Sequence, residues 1–418
     1  MMSNMKRHVI IGNSHAAISA VQAIRSVSGT DDVILISRED CLAYSPALTT
    51  YYLSGRIPYE GMFFCQEEFY KANRVRTILG KQVVKVNAGA HTVALEDGTS
   101  LSYDDLLVAT GSVSSVPPVP GMQLPNVLTL WTASDARRIS DATAGASTVA
   151  VIGGGLIGIQ SVNAMMARGK KVFLVEMLEQ VMPQALDSEG ARIVQERMAE
   201  RGVGLHLGDR LVSIEARGGG LVVSLASGQR VQAEVAIVAT GVRPNTALLE
   251  ASGARIATGV IVNEYCETTA PSVYAAGDVA EGVDGVTGQL RINATLLNAV
   301  EQGRVAGLNM AGMRVPCLRT VQVNAFTPLG LPCASAGLVN ATDGRQREFV
   351  RRSGKGYGKL VVEEDRIVGM VLVGDVDSAG ILASAIERRE PCSDILKAWE
   401  SNRVSLPSLE VLAAMARK

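Results

Sequence analysis

The sequence predicts an α/β fold in which two strand–loop–helix units are followed by a small α+β domain. Three observations carry this expectation. Residues 8–11 (HVII) and 148–152 (TVAVI) are short apolar runs, each followed by a glycine-containing loop and then by apolar residues at helical spacing. Each loop is followed, roughly ninety to a hundred residues on, by a second apolar strand ending in Ala-Thr-Gly, the mark of an internal repeat. From about Cys317 the pattern changes to alternating strands around a turn at Glu364 and Asp365, then to the helical stretch SAGILASAIERR.

At 418 residues the chain exceeds one ordinary core, and length suggests roughly two to three domains. Apolar residues make up 47% and charged residues 19%, with 42 glycines, as in an α/β protein with many tight turns. A formal net charge of −1 supplies no electrostatic footprint, so neither nucleic acid nor a membrane is expected as a partner. Lys6 and Arg7 precede an apolar run that stops at Gly12, too short for a signal peptide, and no run approaches bilayer length. The expected location is cytoplasmic. Six scattered cysteines (Cys41, Cys65, Cys266, Cys317, Cys333 and Cys392) form neither C-x-x-C nor C-x-x-x-x-C, and the four histidines (His8, His15, His91 and His206) are not paired at ligand spacing. A metal centre, an iron–sulfur cluster and a redox-active disulfide are therefore not expected. The thiols read as small buried groups.

The second unit, STVAVIGGGLIGIQSVNAMMARGKKVFLVEM, is the more informative. Gly153, Gly155 and Gly158 complete G-x-G-x-x-G between a strand and a helix whose apolar stripe is Ile157, Val162, Met165 and Met166. Gly153 permits the tight turn, Gly155 leaves room for a pyrophosphate, and Gly158 lets helix and strand pack closely. The helix N-terminus, at Leu156 and Ile157, favours the phosphate charge. The next strand, 172–175, ends at Glu176, where a carboxylate accepts from the adenine ribose of NAD and repels a 2′-phosphate. Met177, Leu178 and Glu179 follow without an arginine, so NAD is favoured over NADP. The bland alternative is a glycine turn that holds no nucleotide. The agreement of strand, loop, helix and acidic strand end weighs against it.

The two Ala-Thr-Gly strands are LLVATG, ending in Ala109, Thr110 and Gly111, and VAIVATG, ending in Ala239, Thr240 and Gly241. With two loops, these strands, TTAPSVYAAGDVA (268–280) and NAVEQGRVAGLNMAG (298–312) in this order, the sequence resembles the FAD-dependent pyridine nucleotide oxidoreductases. That superfamily includes glutathione reductase, ferredoxin and rubredoxin reductases, and the flavoprotein part of NADH-dependent nitrite reductase. The resemblance implies two Rossmann-like dinucleotide-binding domains plus the C-terminal domain. FAD would be held by 1–118 and 246–316, NAD by 119–245, and the α+β domain would span 317–418. It further implies that Ala109, Thr110 and Gly111 lie at FAD and Gly241 at NAD, and that Gly277 and Asp278 reach the ribityl and phosphate region. The helix beginning near Asn293 to Thr295 would set its positive N-terminus at flavin N1 and O2.

By position, the resemblance assigns the first loop, GNSHAA, to the FAD pyrophosphate. Gly12 makes the turn, Ala17 is an allowed small residue, and Ser14 and His15 stand beside the phosphates. Ser14 departs from the pattern's middle glycine. It adds a Cβ and a hydroxyl able to donate to a phosphate oxygen, so FAD is expected to bind, less tightly than usual. The strand at 33–36 then ends in SRED, with Ser37 at the usual acidic position and Glu39 as the nearer candidate for the adenosine ribose.

The segment CLAYSPALTTYYLSGRIPYEGMFF resembles the Y-S-R-P-x-L-S stretch at the flavin's edge in ferredoxin-reductase-like members, which implies Tyr44, Ser45 and Pro46 as FAD contacts. Pro46 and Ala47 stand where Arg-Pro would be, and Tyr51 and Tyr52 replace small or lysine residues. More apolar and aromatic flavin surroundings follow, although both tyrosines read equally as core aromatics. Cys41 precedes Tyr44 and YYLSG contains no thiol, so thiol chemistry is disfavoured. The implied reaction is hydride transfer between nicotinamide and flavin, with electrons then passing to or from a second acceptor. It needs no catalytic acid, base or nucleophile from the protein.

The C-terminal part resembles the small domain of nitrite-reductase-like members, which covers the flavin, presents a docking surface or serves as plain scaffold. The stretches YSPALTTYYLSGRI and IIGNSHAA most resemble flavoprotein subunits of multisubunit 2-oxoacid dehydrogenases of the phenylglyoxylate type. That implies an iron–sulfur electron-transfer protein, or subunits of a larger dehydrogenase, as partner. A free-standing NADH:ferredoxin- or rubredoxin-type reductase or NADH oxidase is the second reading. A non-catalytic nucleotide-binding assembly subunit is the third.

Overall fold

The computed structural model describes residues 5–317 and 321–401. In the N-terminal part the main elements are β1 (Arg7–Ile11), α1 (His15–Val27), β2 (Asp32–Ile36), β3 (Val75–Ile78) and β4 (Asp105–Val108). Then come β5 (Val127–Thr129), α2 (Ala133–Thr143), β6 (Thr148–Ile152), α3 (Leu156–Ala167), β7 (Lys171–Val175), α4 (Ser188–Glu200), β8 (Gly204–His206) and β9 (Val235–Val238). They are followed by β10 (Val273–Ala275), α5 (Leu296–Met310), β11 (Val323–Phe326), β12 (Cys333–Gly337), β13 (Gln346–Ser353), β14 (Gly356–Glu363), β15 (Arg366–Val373) and α6 (Ala379–Arg388).

Among the described residues two compact units result: 5–52 with 57–113 and 242–317, and 53–56 with 114–241 and 321–401. The chain changes unit directly after each Ala-Thr-Gly strand, at 113/114 and 241/242, a few residues before the expected 118 and 245. Residues 321–401 pack with the segment that carries the second glycine loop.

In the first unit a parallel sheet runs in the order β10-β4-β1-β2-β3. Its inner strands are mostly apolar because both faces are covered, whereas the edge strand β3 exposes Arg76 and Thr77. Val9, Ile11, Ile34, Ile36, Leu106 and Val108 bury against Val86, Val93 and Leu95 of a small antiparallel sheet. Their neighbours of opposite parity, Ile10, Val33, Leu35 and Leu107, bury with Ala17, Val21 and Ile24 of α1 and Val305, Ala306 and Met310 of α5. The two helices meet backbone to backbone: a Cβ at Gly303 would lie 2.1 Å from the carbonyl oxygen of Ala16, and one at Gly307 2.5 Å from that of Ala20. His8 is fully buried beneath this layer, with Nε2 3.1 Å from Asp31 and Nδ1 3.4 Å from Asp105.

The second unit repeats the plan with a parallel sheet in the order β8-β7-β6-β9-β5. The loop-bearing strand β6 lies between β7 and β9, as β1 lies between β2 and β4. One face, with Ala150, Ile152, Ala236 and Val238, buries Ile214, Val223, Leu225 and Val231 of a three-stranded antiparallel sheet. The C-terminal sheet is antiparallel, in the order β11-β12-β15-β14-β13, and turns at Glu364 in the left-handed region (φ 55°).

That sheet is fastened to α3 and α4. Asn163 donates to the Thr327 carbonyl (3.1 Å) and accepts from Leu329 N–H (2.9 Å), and Arg352 forms a two-pronged pair with Glu189 (2.6 Å for each bond). Lys359, 2% exposed, sits 3.0 Å from Asp187 and 3.3 Å from Glu348 and donates to Asn340 (2.8 Å). Asp187 also accepts from Tyr357 (2.5 Å) and caps α4 through Gly190 N–H (3.1 Å). A buried charge satisfied this completely fixes one arrangement of sheet on helix. Among the described residues there is no group of three or more potential metal ligands, and no helix is long and apolar enough to cross a membrane.

The approach of α1 to α5 leaves no room for a side chain at the crossing. Gly303→Val is expected to destabilise the protein by roughly 1–3 kcal/mol, read as a lower denaturant midpoint for the first unit. Gly145→Ala, whose Cβ would meet nothing within 4 Å, serves as the control and should leave that midpoint unchanged. Equal midpoints for the two variants would contradict the close packing.

Candidate nucleotide-binding sites

The first loop is held from both sides. Gly12 adopts φ 126°, and a Cβ there would stand 2.2 Å from the Ala109 carbonyl oxygen, so strand β4 closes over the turn. Asn13, which sequence reasoning passed over, pins the loop by donating to the Cys41 carbonyl (3.1 Å) and accepting from the Tyr70 hydroxyl (2.8 Å). Ser14 is the N-cap of α1, yet its side chain accepts no capping bond. Its hydroxyl donates instead to the Tyr44 carbonyl (3.2 Å), turned to the protein and away from the role of phosphate donor expected of it. The first-turn N–H groups of α1, around His15 and Ala17, are thus left for an outside acceptor.

His15 ties the helix to the following loop through Nε2, 3.0 Å from the Ser45 hydroxyl. Its ring stacks on Phe64 at 4.3 Å with an interplanar angle of 2°, and burial lowers its pKa, so the imidazole is neutral near pH 7. The Tyr44 hydroxyl donates to Glu39 (3.0 Å), bringing its phenol to the ribose candidate; Ser45 and Pro46 continue the loop beyond it. Ser37 is buried and its hydroxyl accepts from Glu39 N–H (3.2 Å), so it positions Glu39. Tyr51 is 41% exposed, which removes it from the core. Tyr52, Tyr59 and Phe63 form a chain of edge-to-face contacts at 5.4 Å each, continued to Tyr44 at 6.0 Å.

The remaining residues of the first unit come to the same end of the sheet. Thr110 donates to the Asn245 carbonyl (2.9 Å), and Gly111 (φ 63°) accepts from Asn245 N–H (2.9 Å). Gly277 lies where a Cβ would be 3.5 Å from that of Ala16 and 3.7 Å from that of Ala299, so its loop touches the first turns of α1 and α5 together. Its N–H donates to Gln302 (2.8 Å), another residue missed from sequence. Asp278 accepts from the Ser112 hydroxyl (2.8 Å); burial raises its pKa, and the Ser112 bond opposes this. Thr295 caps α5 by accepting from Asn298 N–H (3.3 Å), and the buried Asn293 carbonyl accepts from the Asn298 amide (2.8 Å).

In the second unit, Gly153 (φ 108°) passes under Ala239, whose carbonyl oxygen would be 2.3 Å from a Cβ. Gly158 packs on Gly153 itself, with a would-be Cβ 1.9 Å from its oxygen. Gly155 is the N-cap of α3 and supplies no side chain; a Cβ on it would meet nothing within 4 Å. Leu156 and Ile157 open the helix, half-buried. Glu176 is gripped by two backbone donors, Gly154 N–H (2.5 Å) and Leu178 N–H (2.8 Å), which fixes its carboxylate at the end of β7. A carboxylate has about four acceptor positions, so two remain for ribose hydroxyls. Gly241 (φ 106°) accepts from Ser115 N–H (2.9 Å), and it too has nothing within 4 Å of a Cβ.

Helices α2, α4 and α5 carry side-chain caps from Thr132, Asp187 and Thr295; α1 and α3, the two that follow glycine turns, carry none, and neither does α6. That contrast, with the room beside Gly155, Gly111 and Gly241, fits two pyrophosphates. The thiol of Cys41, the residue whose carbonyl Asn13 bonds, does not fit a redox role. Cys41 is pushed up to about 11 by burial and by Glu39 and Asp40, which leaves it protonated at neutral pH. All six cysteines are unbridged.

Comparison with known proteins agrees with this geometry. Residues 6–303 match the pyridine nucleotide-disulphide oxidoreductase family, and residues 323–390 match the rubredoxin NAD+ reductase C-terminal domain. The chain is 29% identical over 406 residues to the epsilon subunit of NADH-dependent phenylglyoxylate dehydrogenase of Aromatoleum evansii, covering 96% of each chain. It is 32% identical over 393 residues to an NADH oxidase of Methanocaldococcus jannaschii, covering 88% of this chain and 87% of that one. Among solved structures, an NAD-dependent persulfide reductase from A. fulgidus superposes with a TM-score of 0.87 at 26% identity, covering 93% of this chain and 78% of that one. The chain therefore belongs to the pyridine nucleotide-disulphide oxidoreductase family and is an FAD-dependent oxidoreductase acting on NAD(H).

Proposed function

We propose that this chain moves electrons between NAD(H) and an iron–sulfur protein or subunit, as the NAD-reducing electron-transfer subunit of a multisubunit 2-oxoacid dehydrogenase of the phenylglyoxylate type. The observation that carries this reading is the flavin-side segment 41–64, which is aromatic and holds no ionised thiol. Electrons on the flavin then have no internal disulfide to enter and must pass to a separate acceptor. The end-to-end likeness to the epsilon subunit supports the finer assignment. An NADH oxidase of comparable coverage favours the second reading, a free-standing reductase or oxidase.

The cofactors supply the chemistry: hydride passes between the nicotinamide and the flavin. The chain's residues bind and orient them. In this reading the first turn of α1 after Gly12, Ser14 and His15 takes the FAD pyrophosphate, and Glu39 takes its ribose. Ser45 and Pro46 border the flavin, with Tyr44 braced on Glu39. Ala109, Thr110 and Gly111 shape the turn above them. Asp278 accepts from the ribityl chain, and the α5 N-terminus behind Asn293 and Thr295 stabilises negative charge on the flavin. NAD lies at Gly153, Gly155, Leu156, Ile157 and Gly158, with its adenine ribose on Glu176 and Gly241 alongside.

Four large apolar residues stand exposed near the start of α5: Val283 (59%), Leu290 (44%), Leu296 (43%) and Leu297 (70%). Exposed large apolar residues of this kind support a protein partner. Incubated with a reduced ferredoxin-type iron–sulfur protein and NAD, the protein is expected to form NADH. Leu297→Asp should slow that reaction several-fold while leaving reduction of the flavin by NADH unchanged. If ferredoxin gives no NADH while oxygen alone turns NADH over rapidly, the oxidase reading replaces it.

Glu176→Arg is expected to move the NADH to NADPH ratio of kcat/KM at least tenfold towards NADPH, since charge repulsion gives way to attraction; an unchanged ratio contradicts the ribose assignment. Because the Ser14 hydroxyl is committed to Tyr44, Ser14→Gly should keep FAD affinity within about threefold or tighten it, as one neutral hydrogen bond is worth only about 0.5–1.5 kcal/mol. Loss of flavin on gel filtration would show Ser14 to be a ligand.

A further inference from the structure

Two of the cysteines face each other across a stapled pair of segments, 264–267 and 314–317. Cys317 N–H donates to the Glu264 carbonyl (2.5 Å). Asn309, in the last turn of α5, donates to the carbonyls of Tyr265 (3.1 Å) and Val315 (2.8 Å) and accepts from Val315 N–H (2.8 Å). The Arg314 guanidinium lies 3.4 Å from the centre of the Tyr265 ring and pairs with Glu267 (2.6 Å). Between these ties the Cys266 thiol donates to the Cys317 sulfur. Cys266 is 1% exposed and its carbonyl accepts from Ala275 N–H of β10 (3.1 Å), whereas Cys317 is half-buried.

No other thiol is so placed: Cys333 donates to the Leu331 carbonyl (3.6 Å) and Cys392 to Asp365 (3.7 Å). Sharing one proton also makes the two sulfurs unlike. The bond from Cys266 lowers the pKa of Cys317 and the nearby Arg304 acts the same way, against burial and Glu301. Cys266 is raised, by the bond it gives and by burial. The outer sulfur is the one that carries thiolate character and meets solvent, and the inner one waits behind it.

We propose that Cys266 and Cys317 are an oxidative modification site, a thiol pair that a hydroperoxide converts to a disulfide. The Cys317 thiolate attacks a peroxide oxygen and the O–O bond breaks. Cys317 becomes a sulfenic acid, and the departing hydroxide gains a proton to leave as water. Cys266 then attacks the Cys317 sulfur, the S–O bond breaks, and the second hydroxide leaves as water with the Cys266 proton. Two thiols give up two electrons, and one hydrogen peroxide becomes two waters. The bridge ties segment 314–317, through which the chain leaves the first unit, to the turn before β10. It stands off the electron path of the proposed function, since Asn309 is roughly 20 Å along α5 from the cap Thr295.

The test uses the purified chain, reduced with dithiothreitol, freed of reductant and exposed to a small excess of hydrogen peroxide. It is expected to lose two of its six thiols, and peptide mapping to find the peptides of Cys266 and Cys317 joined and two hydrogens lighter, with dithiothreitol separating them again. Cys266→Ala is expected to stop at a sulfenic acid on Cys317 that dimedone traps, and Cys317→Ala to keep Cys266 reduced under the same treatment. Peptides of Cys266 and Cys317 that stay separate, or that join only between two chains, overturn the proposal. A wild-type chain that takes up as much dimedone at Cys317 as Cys266→Ala does overturns it as well, because Cys266 is then not the resolving thiol.

Discussion

Helices that begin without a side-chain acceptor leave backbone N–H groups that something else must satisfy, and in this chain the two helices after the glycine turns are of that kind. At α1 the N-cap hydroxyl of Ser14 is drawn off to Tyr44, and at α3 the N-cap is Gly155, which has none to give. The rest of the fold exists to present these two ends. Each sits at the carboxyl edge of a parallel sheet, under a strand whose carbonyl closes over the turn, Ala109 for the first and Ala239 for the second. An anion at each end completes both the hydrogen bonding and the electrostatics of the helix.

The first of these ends also depends on the α1–α5 contact. Gly303 and Gly307 let the helices touch along their backbones, and this brings the Gly277–Asp278 loop and the first turn of α5 to the N-terminus of α1. Residues far apart in sequence, Ser112 and Asp278 or Gly277 and Gln302, are thereby joined. The segment 41–64 brings a run of aromatic rings, with the neutral His15 stacked on Phe64, to the first loop. With Cys41 held protonated, this segment offers no thiolate to take electrons, which is what the proposed function rests on.

Much of this was legible in the sequence because it is written locally. Strand, glycine turn, helix and strand-end carboxylate are contiguous, so Gly153 to Gly158 and Glu176 are recognisable without a structure, as are the two Ala-Thr-Gly strands. What was not legible depends on long-range partners. The Ser14 hydroxyl reads as a phosphate donor until Tyr44 is seen beside it, and Tyr51 reads as readily core as not until its exposure is known. Asn13, Gln302 and Asn298 carry no local signature, since their roles come from Tyr70, Gly277 and the α5 cap. The C-terminal sheet gave its strands and its turn but not its seat. The pairing of Lys359 and Tyr357 with Asp187 spans 170 residues or more, and the seat becomes visible only when α4 is in place.

The proposed function leads to one requirement: NADH must reduce the bound flavin directly and without a thiol. The decisive measurement is an anaerobic titration of the purified protein with NADH, following the flavin's blue-absorbing band. Complete bleaching at about one equivalent of NADH per flavin, with thiol-blocked protein behaving identically, is the predicted result. Bound flavin that NADH leaves oxidised, or bleaching that needs a second equivalent and is abolished by blocking thiols, would contradict it.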